Sequence, residues 1–232
     1  VQVELLLFEK AYQQKYDYYH LISGADLPLK SNREIDSFFE KNQGKEFILY
    51  DNEKLQNDPE ISRRTKFYHY LQNYRRRYSK KWKNDFFTFW ERVSLVMQIV
   101  LHVNRVKELD WTVKYGSNWV SITNDLVAEL LKQKDKITKV FSCTNCADEL
   151  FVQTVAYNCG FKDRIYFPED GMTTNVRFID WMRGKNGNPY TFRNRDYQSL
   201  RMNKNLFARK FSESIDKEII RRICTEIREE NM

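Results

Sequence analysis

Two short clusters of charged residues have the types and spacing that group transfer needs. Arg209 and Lys210 are adjacent cations between two phenylalanines. Arg offers a planar fork of donors and Lys a compact point charge, a combination that suits a diphosphate. Glu149 follows Asp148 at the start of a predicted helix, where a carboxylate can act as a general base. The alternatives are a solvated basic pair and two acids that only favour a helix N-terminus.

An inverting sugar transfer from a nucleoside diphosphate needs little more than these two clusters. One carboxylate takes the proton of the attacking hydroxyl, and positive charge neutralises the leaving diphosphate. Because a diphosphate is already a good leaving group, the second carboxylic acid of a glycosidase is unnecessary. One Glu and one cation cluster are therefore a minimal signature of this chemistry.

The elements that must hold these residues alternate between strands and helices, which indicates an α/β layer structure. Ser31 with Glu34 forms a capping box that opens a helix. Thr144 or Asn145 is expected to cap the helix that carries Glu149. We predict strands over 16–22 (buried), 46–50, 119–122 and 176–181, helices over 3–15, 31–39, 82–106 (long or broken), 124–134, 144–160 and 214–228, and a loop over 186–189.

Length and composition favour one folded domain. The chain has 232 residues, 41% hydrophobic and 15% aromatic, which argues against disorder and predicts a single domain over 1–232. No apolar run reaches the ~18 residues of a membrane span. Cys143 and Cys146 form one C-x-x-C, but zinc would need a second pair or two His residues. Free thiols in a reducing compartment are the preferred interpretation, with a metal as the alternative.

The net charge of +7 is local, because nine Lys or Arg and no acid lie between Ile61 and Lys83. Without those nine, the chain has 30 basic and 32 acidic residues. Within this stretch, residues 75–83 (Arg75 to Lys83) interleave cations with aromatics. That pattern is typical of a nucleic-acid surface, of a basic face beside an acceptor cleft, or of a contact with anionic lipid.

Four short blocks occur in a recognisable order along the chain. They are Leu-Ile-Ser-Gly-Ala-Asp-Leu-Pro-Leu-Lys at 21–30, Gly-Ser-Asn-Trp at 116–119, Ala-Asp-Glu-Leu-Phe at 147–151 and Leu-Phe-Ala-Arg-Lys-Phe at 206–211. The set resembles the core-2/I-branching β-1,6-N-acetylglucosaminyltransferase family, which includes the peptide O-xylosyltransferases. The resemblance covers residues 16–211.

The resemblance implies a fold and a mechanism. We expect a glycosyltransferase-A-like mixed sheet flanked by helices, with the family's N-terminal nucleotide-binding strands missing before Val1. Glu149 would be the catalytic base, and Arg209 with Lys210 would hold the diphosphate. The family lacks the Asp-x-Asp metal motif and works without a divalent ion, and this chain contains no Asp-x-Asp. We therefore expect no cofactor and no metal.

The same resemblance implies a sugar- and acceptor-binding set of Asp26, Ser117, Asn118, Trp119, Asp180 and Trp181. Gly24 would let the backbone approach a ligand closely. For Asp26 the alternative is a simple acid between strand and turn. For Trp119 and Trp181 the alternative is packing in the core.

The sequence thus predicts an enzyme that is an inverting, metal-independent glycosyltransferase. Its partners would be a UDP-sugar, first of all UDP-N-acetylglucosamine, and a glycan or lipid-linked glycan acceptor; a pentosyl donor is also open. We expect a bacterial cytoplasmic enzyme of polysaccharide biosynthesis in contact with an anionic membrane, and the Golgi lumen in a eukaryote. No nucleic acid is expected. The alternatives are a nucleic-acid-binding module that uses the basic segment and a catalytically inactive glycan-binding relative.

Overall fold

A computed structural model describes residues 1–74, 77–168 and 171–232 of the chain. Within these ranges the fold is mixed α/β, as predicted, and helices outweigh strands. In chain order the elements are α1 Gln2–Tyr12, β1 Tyr18–His20, β2 Asp26–Pro28, α2 Asn32–Lys41, α3 Asn52–Asn57, α4 Pro59–Lys66, α5 Lys81–Val100, β3 Ser121–Thr123, α6 Asn124–Lys132, α7 Lys134–Phe141, α8 Phe151–Asn158, β4 Arg177–Ile179, α9 Tyr197–Met202, β5 Phe207–Arg209 and α10 Lys217–Glu230.

The chain forms two compact units, each built from discontinuous segments. The first unit comprises Val1–Tyr16, Tyr50–Asn118 and Asn124–Lys162, and the second comprises Asp17–Leu49, Trp119–Thr123 and Asp163–Met232. The prediction that residues 1–232 form one domain stays a prediction.

The first unit is helical. Helix α6 is central to it, because it packs against α1, α7 and α8. These helices carry apolar side chains that are fully buried, among them Leu5 of α1, Leu126 and Leu130 of α6 and Phe151 of α8. Burying side chains of this size contributes roughly 1.5–3 kcal/mol each, so this burial fixes α8, which begins two residues after Glu149.

The second unit holds the strands. β1 pairs with β3 in an antiparallel two-stranded sheet. A three-stranded mixed sheet has the order β2-β5-β4, with β2 antiparallel and β4 parallel to β5. This mixed sheet agrees with the predicted fold class. Its core includes Leu29, Phe192, Leu200 and the buried Ile219 and Ile223 of α10.

Several sequence predictions are confirmed at the level of single interactions. The Oγ of Ser31 accepts from the amide of Glu34 at 3.3 Å, and the Glu34 carboxylate accepts from the amide of Ser31 at 2.8 Å, so the capping box at α2 is present. Gly160 has φ +90° just after α8, where a left-handed residue ends a helix. The loop at 186–189 turns between reciprocal backbone hydrogen bonds of Lys185 and Asn188.

Three predictions about local structure were wrong. Glu149 does not lie in the first turn of an α-helix: it ends a one-turn 3₁₀ helix, Ala147–Glu149, and α8 begins only at Phe151. Neither Thr144 nor Asn145 caps that helix, since the residue before the 3₁₀ turn is Cys146 in left-handed conformation, without a side-chain cap. The stretch 46–50 forms isolated bridges rather than a strand.

No helix within the described ranges is long and apolar enough to cross a membrane.

Candidate active site

In the first unit, Glu149 is held by contacts from two directions. Its carbonyl oxygen accepts from the amide of Gly116 at 3.0 Å. Its carboxylate Oε2 accepts from Arg64 Nη1 at 2.8 Å. Arg64 lies on α4, which begins cleanly because Asp58 accepts from the amide of Glu60 at 2.8 Å and Pro59 occupies the first turn. The Glu149 side chain retains 32% exposure and that of Arg64 24%.

The electrostatics of Glu149 favour a base. Burial raises the pKa of Glu149 above its ordinary value, and the neighbouring Asp148 carboxylate adds to the rise, while Arg64 and the Tyr115 hydroxyl lower it. Burial prevails, so the group is a stronger base than an ordinary glutamate. Burial, followed by the charge of Glu149, raises the pKa of Tyr115 to about 12, which keeps its hydroxyl protonated as a donor.

The predicted sugar residues Ser117 and Asn118 lie beside this carboxylate in the same unit. The carbonyl of Ser117 accepts from Gln153 Nε2 of α8 at 2.5 Å, and Asn118 Nδ2 donates to Asp148 Oδ2 at 3.5 Å. Both residues are half-buried. Two of the sequence blocks, 116–118 and 147–151, therefore meet through backbone and side-chain hydrogen bonds.

In the second unit, the sheet register brings three other predicted residues together. Arg209 of β5 stands opposite Asp26 of β2. Its Nη1 donates to Asp26 Oδ1 at 2.8 Å and to Ser23 Oγ at 2.5 Å, and its guanidinium carbon lies 4.5 Å from the centroid of the Trp119 ring. The Asp26 side chain is 7% exposed and that of Arg209 22%. Arg209 is thus fixed in place by a buried carboxylate and an aromatic face.

Lys210, the neighbouring cation, has fewer side-chain contacts than Arg209. Its carbonyl accepts from the amide of Phe192 at 2.9 Å, and the following Phe211 is buried, so the backbone is fixed. Across the described ranges its half-buried side chain makes no hydrogen bond or ion pair. Its ammonium charge is the part of this motif that remains available to an anion.

Asp180 and Trp181 follow β4 in a different arrangement. Both oxygens of Asp180 accept from Arg183, at 2.5 Å from Nε and 2.9 Å from the amide, and Arg183 also bridges to Asp196 at 2.7 Å. The carboxylate of Asp180 therefore orders its own loop. Trp181 is 61% exposed, so the alternative that it packs in the core is wrong. Sugar binding by either residue stays a prediction.

The structure adds functional candidates that the sequence did not single out. Arg64 and Tyr115 contact Glu149, yet Arg64 was visible only as a member of the basic stretch, and Tyr115 only as the neighbour of Gly116. Arg177 of β4 is buried and donates to the carbonyls of Asn175 and Val120 at 2.5 and 2.7 Å. Burial lowers its pKa to about 9, so it remains charged at neutral pH beside Asp26.

The basic segment is described in part. Arg75 and Arg76 lie outside the described residues, whereas Arg77, Lys80 and Lys81 are exposed. In the part of the chain that the structure describes, no cluster of three or more His, Cys, Asp or Glu has an arrangement that could hold a metal ion.

A family model described as Core-2/I-branching enzyme matches residues 1–205 of the chain. No curated protein sequence matches it. The matched range includes Glu149, Asp26 and the 116–119 block but ends before β5, so Arg209 and Lys210 lie outside it.

Proposed function

The chain belongs to the Core-2/I-branching enzyme family, a family of glycosyltransferases that use a nucleotide-sugar donor and a glycan acceptor, and on this premise we propose an inverting, metal-independent transfer from a UDP-sugar. The donor we favour is UDP-N-acetylglucosamine. The acceptor is a hydroxyl of a glycan, free or lipid-linked. A cytoplasmic location stays a prediction.

The observation that carries this proposal is the environment of the Glu149 carboxylate. Burial raises the pKa of this group even though Arg64 binds it. In the proposed step, the acceptor oxygen forms a bond to the anomeric carbon as the bond from that carbon to the diphosphate oxygen breaks. The hydroxyl proton passes to Glu149. A carboxylate with a raised pKa takes that proton more readily, and Arg64 keeps it ionised until then.

The leaving diphosphate gains negative charge, which a cation must stabilise. Lys210 has an unpaired ammonium among the described residues, and Arg209 presents the exposed edge of a guanidinium whose other side is held by Asp26. In the proposed mechanism these two side chains replace a metal ion. Trp119, against Arg209, fixes the plane of the guanidinium.

A donor screen tests the proposal directly. The protein is titrated with UDP-N-acetylglucosamine, UDP-xylose, UDP-glucose and an ADP-sugar, and the unfolding temperature and transfer to a model glycan are followed with and without EDTA. A ligand at 100 times its Kd stabilises a protein by about 2.7 kcal/mol, which raises the unfolding temperature measurably.

We expect a UDP-sugar to stabilise the protein and EDTA to leave transfer unchanged. Loss of activity in EDTA with recovery in manganese would contradict the metal-free mechanism. If every nucleotide sugar fails while RNA binds with a steep salt dependence, the nucleic-acid alternative replaces the proposal.

A further inference from the structure

Helix α5 of the first unit buries polar side chains and exposes apolar ones, the reverse of the usual arrangement. The buried residues on this 20-residue helix are Glu91 and Gln98. Its large apolar side chains instead face solvent, with exposures between 48% and 68%: Trp82, Phe86, Phe89, Trp90, Val96, Met97, Ile99 and Val100. An exposed patch of this extent on a folded protein marks an interaction surface.

Hydrogen bonds on the inner face explain why the helix lies this way round. Glu91 accepts from His69 Nδ1 at 2.9 Å and from the amide of Leu71 at 3.0 Å. Gln98 accepts from the amide of Tyr68 at 2.8 Å and donates to its carbonyl at 2.9 Å. Turning the apolar face inward would break these bonds and leave a buried carboxylate unpaired, which is costly. The outward face is therefore fixed.

The exposed face forms one continuous stripe. Residues 82, 86, 89, 93, 96 and 100 are spaced by four and three, the spacing of one side of a helix. Phe86 and Phe89 each contact Trp90, with ring centroids 6.3 and 5.7 Å apart. Over 20 residues such a stripe is about 30 Å long.

Positive charge is concentrated at the N-terminal end of the stripe. Arg77, Lys80 and Lys81 are exposed, and the ammonium of Lys83 lies 5.6 Å from the centroid of the Trp82 ring. No acid occurs between residues 61 and 84, and on the helix itself Glu91 is buried, which leaves Asp85 as the exposed acid of α5.

We propose that the outer face of α5 docks in the interface of an anionic lipid bilayer. Aromatic and aliphatic side chains enter the boundary between headgroups and acyl chains, and the basic end pairs with anionic headgroups. Lys and Trp side chains suit this boundary because each has an apolar body and a polar tip. A second copy of the same helix offers only Asp85 to the basic end, so charge complementarity favours lipid. The inference does not depend on the sugar chemistry.

Vesicle sedimentation tests the inference without any substrate. The protein is mixed with vesicles of phosphatidylcholine alone, or of phosphatidylcholine and phosphatidylglycerol in equal parts, at low and high salt. The face variant carries Phe86→Ser and Phe89→Ser. Its matched control carries Leu6→Ser and Leu7→Ser on α1, which are 52% and 53% exposed. Circular dichroism establishes that each variant is folded.

A second pair of variants separates charge from apolar contact. The basic variant carries Lys80→Ser, Lys81→Ser and Lys83→Ser. The control removes the same charge from the same unit with serine at Lys10, Lys107 and Lys162, which are exposed. Each basic residue near an anionic bilayer strengthens binding about fivefold, so the basic variant should bind roughly 100-fold more weakly.

We expect binding to anionic vesicles only, weakened by salt, at least tenfold weaker in the face variant and little changed in both controls. Absence of binding by the unmodified protein, or equal losses in the face variant and its control, overturns the inference. So does a dimer in sedimentation that the face variant dissociates, because a second copy would then cover the face.

Discussion

Each of the two units contains an arginine–carboxylate pair, and the contact distance is the same in both. The pairs differ in which partner is more exposed to solvent. Arg64 to Glu149 in the first unit and Arg209 to Asp26 in the second are both 2.8 Å apart. In the first pair the carboxylate is the more exposed partner, 32% against 24%. In the second pair the arginine is the more exposed partner, with 22% exposure against 7% for the carboxylate.

The same two residue types therefore form pairs with different properties, depending on which partner is more exposed to solvent. Where the cation is deeper, the carboxylate meets the solution with its protonation tuned by burial and by the arginine. Where the acid is deeper, a rigid positive edge is presented instead. In the proposed reaction the first pair receives a proton and the second binds an anion, so the four residues should respond differently to mutation.

Glu149→Gln should have the largest effect on activity. The amide keeps the shape of the side chain and loses its basicity, so transfer should fall ~100-fold or more while UDP-sugar binding survives. Asp148→Asn is the matched control, since it removes the adjacent carboxylate, and its rate should stay within a few-fold. Near-normal turnover of Glu149→Gln, measured with radiolabelled donor, would remove the first pair from the chemistry.

Arg209→Ala and Lys210→Ala should separate binding from stability in the second pair. Both should weaken UDP binding in calorimetry, because each charge-assisted contact contributes roughly 1.5–3 kcal/mol. Only Arg209→Ala should also lower the free energy of unfolding, by roughly 1–3 kcal/mol, because the Asp26 carboxylate loses its ion pair and keeps the Ser23 amide at 2.6 Å and the nearby charge of Arg177.

Lys185→Ala, an exposed lysine of the same unit, is the control for the loss of one charge. If Lys210→Ala binds UDP as well as this control does, Lys210 does not hold the diphosphate. Equal stability of Arg209→Ala and the unmodified protein would show that Asp26 does not need its partner.

Arg64→Gln should shift the pH dependence of transfer activity. The base works only when ionised, so transfer should fall as the pH drops through the pKa of Glu149. Arg64 lowers that pKa, and its removal should shift the acid limb of kcat/KM to higher pH. Arg63→Gln removes an equal charge from the exposed side of α4 and should leave the limb in place. An unmoved limb in Arg64→Gln would mean that another group controls it.

Gly24→Ala should have the smallest effect. A Cβ at this position meets no atom within 4 Å, and the backbone does not require glycine, so folding should be unchanged or slightly more stable. If the backbone approaches the donor here, the KM for the donor should rise several-fold. An unchanged KM would place Gly24 outside the donor site.

Local chemistry explains why some features could be predicted from the sequence. The capping box at Ser31 and Glu34 and the glycine stop after α8 depend on residues that are neighbours along the chain. The four ordered blocks gave the family, which the match over residues 1–205 confirms. The mixed α/β class followed from strands and helices that alternate along the chain.

Contacts between distant residues required the tertiary structure. Arg64 is 85 positions from Glu149, and Asp26 is 183 from Arg209, so no local pattern could pair them or show which partner is exposed. The sequence predicted a long or broken helix over 82–106, but only the fold showed that the polar side of α5 faces inward. Half-buried backbone groups of Tyr68 and Leu71 are satisfied there by the hydrogen bonds of Gln98 and Glu91. Periodicity reveals that a helix has two faces; which face is buried is decided by the hydrogen bonds and packing partners that folding brings to it.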